Sequence, residues 1–200
     1  PLHLSQLPLP LKGLTMSRLS IPTVADAPAA SQPLLAAVHK KLGVVPNLMK
    51  LLGQSPAALE GYLSLSGALD KGVLNAKLRE TLALAVAEFN GCDYCLAAHS
   101  YIGKNLVKLT DDEIAQARDG RAADARNDAA LRFAQRVAAE RGRVLDADIA
   151  ALRAAGFSDA ETVETVEIVL HVALNVLTNY VNNVAHTDVD FPRVSAHTHA

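Results

Sequence analysis

Two cysteines three positions apart, Cys92 and Cys95, are the residues of this chain best suited to do chemistry. They lie in Glu88-Phe89-Asn90-Gly91-Cys92-Asp93-Tyr94-Cys95-Leu96-Ala97-Ala98-His99, and the 200 residues contain no other cysteine. If Cys92 opens a helix running to about Leu106, then Cys92, Cys95 and His99 fall on one stripe of it. Helical side chains lean back over the preceding turn, which places the His99 imidazole over Cys95. Asn90 and Gly91 suit a break before that helix, and the unpaired N–H groups of its first turn would face both sulfurs.

The thiolate is the nucleophile, and an ordinary cysteine, with a pKa near roughly 8.5, is mostly protonated at neutral pH. A helix N-terminus, a Cys-x-x-Cys partner and a nearby imidazole all favour the thiolate. Two such thiols suit a reversible cycle in which one attacks and is oxidised and the other condenses with it into a disulfide. The same spacing also suits half a zinc site or two small core residues. No second Cys-x-x-Cys is present, and His99 raises the local ligand count to three, where a structural zinc takes four. A redox pair without metal or cofactor is the favoured reading.

The elements that position this pair read as all-α. Asn75 opens a helix to about Phe89 that is apolar on most of its circumference and therefore central. Glu80 and Glu88 interrupt it, roughly 80° apart around the axis and about 12 Å apart along it, so they could flank one pocket. The plainer reading of Glu80 is a solvated residue beside Lys77 and Arg79; Glu88 lies within one turn of Cys92. Ser31 and Ser55-Pro56 start two earlier helices, closed by Gly43 and Gly72. Thr110 to Glu113 and Ser158 to Glu161 are capping boxes, Asp124 starts a helix ended by Gly142, and Asp146 caps a short one ended by Gly156.

The last helix runs to about Val184, with an apolar stripe of Val163, Val166, Leu170, Leu174, Leu177 and Val181. His171, Asn175, Asn179 and Asn183 form a second, polar stripe. Asparagine is a mediocre helix former, so that stripe needs a reason: an active-site lining, a subunit interface, or the satisfaction of buried groups. Glu164, Glu167 and His171 do not make a di-iron site, which needs Glu-x-x-His pairs from two helices.

Half of the residues are apolar and the net charge is −2. That composition supports one sizeable core and argues against a nucleic-acid surface. No apolar run reaches the roughly twenty residues of a membrane span. Residues 1–30 read as an extended lead, with Met16 as the natural start and 1–15 as an upstream extension; 31–192 form one helical domain and 193–200 a flexible tail. Without a secretory signal the expected compartment is the cytoplasm, where a Cys-x-x-Cys is more often catalytic than structural.

Glu88-xxx-Cys92-xx-Cys95-xxx-His99, with Glu80 twelve residues before Cys92, resembles the core motif of the alkylhydroperoxidase D-like branch of the carboxymuconolactone decarboxylase superfamily, in particular its peroxidase-related members. Val44-Val45-Pro46-Asn47, Asn175 to Tyr180 and Asp190-Phe191-Pro192 share the look of that group. The resemblance implies an all-α domain of about seven or eight helices that assembles into homotrimers or homohexamers. It also implies a thiol-dependent hydroperoxide reductase of antioxidant type. Cys95 would be the attacking sulfur, Cys92 the resolving one, His99 the proton-transfer group, Glu80 the relay and Glu88 a further relay. The residues alone also allow Cys92 to attack.

The expected substrates are organic hydroperoxides or hydrogen peroxide, and the expected reductant is an external dithiol, lipoyl-linked or thioredoxin-like. Tyr94 stands where related peroxidase sites carry a histidine, and a phenol with a pKa near about 10 is a poor base at neutral pH. The alternatives are a general dithiol-disulfide oxidoreductase or redox sensor, a carboxymuconolactone decarboxylase, whose branch generally lacks the two cysteines, and a non-catalytic binding protein.

Overall fold

Six consecutive residues, Leu82 to Ala87, are buried, which places their helix in the middle of the protein. The computed structural model describes residues 17–182, 191, 192 and 194. Among these residues all regular structure is helical, in nine segments: α1 (Gln32–Leu42), α2 (Asn47–Leu52), α3 (Pro56–Leu69), α4 (Ala76–Phe89), α5 (Asp93–Asn105), α6 (Asp111–Arg118), α7 (Ala125–Glu140), α8 (Asp146–Ala154) and α9 (Asp159–Asn182). The expected lead at 1–15, together with Asn183, His186, Asp190 and the tail from 195, lies outside the described residues. No helix among those described is long and apolar enough to cross a membrane.

The additional helix is α2, six residues behind Pro46, too short to show a period in sequence. Capping chemistry accounts for most of the other helix starts. The Ser55, Asn75 and Asp124 side chains accept N–H groups of the first turn, and Thr110 and Glu113 form the expected capping box. Two expected caps differ. Ser31 sits at the start of α1 without a side-chain bond. The cap position of α8 is Leu145, whose N–H donates to the Asp148 carboxylate at 2.8 Å, so Asp146 is the first helical residue.

α4 packs against α5, α6, α7 and α9. Its small and branched side chains let four neighbours approach at once, and each fully buried Leu contributes roughly 1.5–3 kcal/mol of apolar transfer. α4 and α5 form an antiparallel hairpin with a tight reversal. Gly91 takes φ +65°, its N–H donates to the Glu88 carbonyl at 2.9 Å, and the Cys92 N–H reaches the Ala87 carbonyl at 3.0 Å. This is the Schellman closure, which favours glycine at the left-handed position. The Tyr180 hydroxyl of α9 clamps the same turn by donating to the Asn90 carbonyl.

The apolar stripe of α9 faces outward. The stripe Val163, Val166, Leu170, Leu174, Leu177 and Val181 is exposed, from 37% at Val166 to 62% at Val181. The inward face instead carries Thr165, Ile168, Val169, Val172, Asn175, Val176, Asn179 and Asn182. Hydrophobic periodicity locates an apolar face but does not say what that face meets. Here the polar side chains of the other face have partners inside the fold: Asn182 accepts the Leu19 N–H, and Glu164 accepts the Val73 and Leu74 N–H groups at 2.9 and 3.0 Å. Residues 18–27 of the lead are thereby docked, with Ile21, Val24 and Ala27 against the core.

Glu88 and Arg118 join α4 to α6 through a 2.6 Å ion pair whose side chains are only 11% and 10% exposed. Removing one partner strands the other charge in a dry place. Arg118→Ala is expected to cost about 3 kcal/mol in urea unfolding, while the thiols of the folded variant titrate as in the parent. A loss well below 1 kcal/mol would show that the pair is not stabilised by its burial.

Candidate active site

Cys92 occupies two structural roles at once. Its backbone N–H closes α4, and its sulfur caps α5 by accepting the Cys95 N–H at 3.4 Å. Both cysteines are free thiols, each about 2% exposed. A third element completes the sulfur environment: the Asn179 side-chain amide of α9 donates to Cys95 Sγ at 3.3 Å and to Cys92 Sγ at 3.5 Å. Of the three readings of the polar stripe, Asn179 fits the active-site lining.

The two thiols are hydrogen-bonded to each other. The Cys95 thiol donates to Cys92; that bond, with the Cys95 amide, the Asn179 amide and the charge of His99, outweighs burial and holds Cys92 below its ordinary pKa. Cys95, as the donor in that bond and buried beside a second sulfur, is pushed up. The position of the pair at the N-terminal end of a helix favours the thiolate in the same direction.

His99 Nδ1 lies 2.9 Å from Glu80 Oε2, with side-chain exposures of 14% and 18%. Burial opposes the imidazolium, but the Glu80 carboxylate and the Cys92 sulfur outweigh it and raise the His99 pKa. Because Nδ1 is engaged by Glu80, Nε2 is the nitrogen left for a reacting group. Glu80 is thus the partner of His99 rather than a solvated neighbour of Lys77. Glu88, on the same helix, faces α6 and Arg118 and does not join the Glu80–His99 pair. That separates it from the relay in which it was expected.

A cavity of about 470 Å³ lies against the Glu80–His99 pair, lined mainly by aliphatic side chains of α1 to α5 and α9. Tyr94 is buried at its wall, and its hydroxyl oxygen accepts the Leu48 N–H at 3.3 Å, tying α5 to α2. The phenol in the place of the family histidine is therefore a packing element at this site. His171 lies stacked on Tyr62 with ring centroids 4.6 Å apart, and burial followed by the charge of His99 depresses its pKa to about 4. It is a neutral imidazole at physiological pH. His171 and Tyr62 were not among the expected site residues; the four-residue spacing of His171 from Asn175 was the available signal. Among the described residues no three His, Cys, Asp or Glu side chains converge as metal ligands.

Residues 56–140 match the model of the carboxymuconolactone decarboxylase family. A peroxidase-related protein with an alkylhydroperoxidase AhpD core from Ralstonia eutropha JMP134 is 28% identical, covering 88% of this chain and 95% of that one at a TM-score of 0.77. The chain is thus similar to that family over residues 56–140 and, over most of its length, to this alkylhydroperoxidase AhpD-core relative. A peroxidase-related protein from Silicibacter sp. TM1040 shares the fold at 23% identity, with 90% and 96% coverage and a TM-score of 0.76. So does a variant of the debrominase Bmp8 in complex with 2,3,4-tribromopyrrole, at 18% identity, 84% and 92% coverage and a TM-score of 0.72. An uncharacterized protein of Haemophilus influenzae is 46% identical over 48 residues, and the match spans 42% of that protein's length.

The Asn179 amide reaches both sulfurs from outside the α4–α5 hairpin. Replacing it by leucine, Asn179→Leu, is expected to raise the pH at which the first thiolate forms by about one unit. The ultraviolet absorbance of the thiolate against pH reads this directly, and an unchanged titration would mean that the α5 terminus and the neighbouring thiol suffice.

Proposed function

We propose that this protein is a thiol-dependent hydroperoxide reductase. The observation that carries the reading is the pair of buried sulfurs bridged by the Asn179 amide, beside the hydrogen-bonded Glu80–His99 pair. Cys95, which shares the α5 face of Ala98 and Ile102 on the cavity wall, attacks the terminal oxygen of a hydroperoxide. As it does so its proton passes along the hydrogen bond to Cys92. The O–O bond breaks, His99 protonates the departing oxygen as the alcohol, and Cys95 is left as a sulfenic acid. The Cys92 thiol then condenses with it, forming the disulfide and releasing water. An external dithiol reduces the disulfide by exchange and leaves as its own disulfide.

The burial of both sulfurs favours a small oxidant over the disulfide of a folded protein. It also favours a reductant whose dithiol sits on a slender arm or in a small molecule. The resemblance of the fold to a debrominase is met by the same groups, since a thiolate beside a proton donor can also remove a halogen reductively; no residue of the cavity selects that chemistry over peroxide reduction.

One equivalent of an organic hydroperoxide should remove both free thiols and lower the intact mass by two hydrogens. Cys92→Ser should trap an oxygen adduct on Cys95, Cys95→Ser should abolish turnover, and Glu80→Gln should slow it about 10²-fold. Thiols that survive excess peroxide yet exchange with a small disulfide would replace the peroxidase by a dithiol oxidoreductase. An adduct that forms only in Cys95→Ser would reassign attack to Cys92.

The exposed apolar face of α9 is proposed to be covered by further copies of this chain, as the resemblance implies for trimers or hexamers. Its apolar residues recur at three- and four-residue steps, the spacing of a helix-to-helix seam. The wild type should run as a closed oligomer in light scattering, and Leu170→Glu with Leu177→Glu should reduce it to smaller species. A wild-type monomer would end this assignment.

A further inference from the structure

Hydrogen peroxide needs little of the space beside His99. The cavity of about 470 Å³ is within the roughly 300–1,000 Å³ usual for small-molecule sites. Its body is aliphatic, with Val38, Leu42, Leu63, Leu69, Ile102 and Ile168 on the walls. Its lining runs along α5 from Tyr94 to Leu106, a span of roughly 18 Å at the helical rise. A long apolar space of this kind fits an extended chain better than a molecule of hydrogen peroxide.

Besides Ser66, Tyr94 and His171, the polar groups of the cavity form two sets. The inner set is Glu80, His99, Tyr62 and Asn175, the last two hydrogen-bonded to each other through their side chains. Asn175 is 6% exposed, lies one helical turn from Asn179, and has a side-chain oxygen without a hydrogen-bond partner. A buried acceptor of this kind leaves an unmet cost of roughly 1–3 kcal/mol that an O–H of a bound molecule would remove. At the outer end Lys41, Asp70 and Ala76 both line the cavity and face solvent, which makes them its mouth. Lys41 Nζ lies 2.7 Å and Arg79 Nη2 3.3 Å from the same Asp70 carboxylate. Two cations share one anion there, and a single positive charge remains over. The Arg79 guanidinium is further held by the Leu74 carbonyl, so Lys41, with 66% of its side chain exposed, is the group free to meet a ligand.

We propose that this cavity binds an amphipathic monocarboxylate, with its head at Lys41 and Arg79 and its alkyl chain inside, so that the substrate class is a fatty-acid-type hydroperoxide. The O–H of the hydroperoxide donates to Asn175, which sets the O–O bond beside the sulfurs that Asn179 holds. One surplus positive charge matches a monoanion, and the aliphatic walls match its chain. The substrate assignment rests on the peroxidase reading; the binding does not.

The test uses ligands that carry no peroxide. Dodecanoate and methyl dodecanoate, each below its micellar concentration, are titrated calorimetrically into the reduced full-length protein. Dodecanoate should bind about tenfold more tightly than the ester, and Lys41→Met, a change at an exposed side chain, should remove most of that difference. Equal binding of acid and ester, an unchanged preference in Lys41→Met, or no binding of either overturns the proposal. Dodecanoate that binds with the expected preference, in a protein that fails to reduce its hydroperoxide, overturns the peroxidase reading and leaves the binding site standing. Reduction of small hydroperoxides without any preference for the acid does the reverse.

Discussion

Two sulfurs three residues apart, each only about 2% exposed, set the constraint on which this structure depends: any negative charge on either must be met inside the fold. Water cannot solvate it, so the fold must supply donors, and no single element has enough of them. The first turn of α5 gives one amide, the neighbouring thiol a second donor, and α9 a side-chain amide that reaches both sulfurs. The last of these comes from a helix far away in sequence. Bringing it in obliges α9 to turn its polar stripe toward the interior, which leaves its apolar stripe on the outside. The amide that meets the sulfurs and the exposed apolar face are two sides of one rotational setting of a helix.

α4 shows the same logic on a smaller scale. Glu80 and Glu88 project from one buried helix toward different neighbours, one to the imidazole of α5 and the other to the guanidinium of α6. Two similar carboxylates thereby take different parts. One keeps a site group charged, and the other locks the helix that carries it. The rigidity of α4, packed on four sides, is what allows Glu80 to hold His99 at a fixed distance while the sulfurs change state.

Much of this was legible in the residues. Helix starts follow from Ser55, Asn75, Thr110 and Ser158, because capping is a local interaction between residues three apart. The juxtaposition of Cys92, Cys95 and the α5 terminus is equally local. What the chain did not display are contacts between distant segments. The partner of Glu88 lies 30 positions away in sequence, and nothing near Glu88 marks Arg118. The inward face of α9 stayed open because periodicity reports that two faces differ, while the destination of each depends on what packs beside it. Asn179 was visible as one of an unusual row of asparagines, yet its target sulfurs are more than eighty residues earlier. The cavity, assembled from six helices, has no sequence signature at all.

The cap of α5 is a sulfur atom, and this gives the helix an unusual property. Capping groups are ordinarily inert, and a serine or aspartate in that role does not change during turnover. In the proposed cycle the acceptor at the head of the helix is also the atom that gains and loses electrons. A disulfide is neutral and a weaker acceptor than a thiolate, so each oxidation in that cycle would remove from the first turn of α5 the charge that its N–H groups and Asn179 can stabilise. The end of the helix would then be at rest only with the pair reduced, and the backbone of α5 would belong to the redox couple as much as the two sulfurs do.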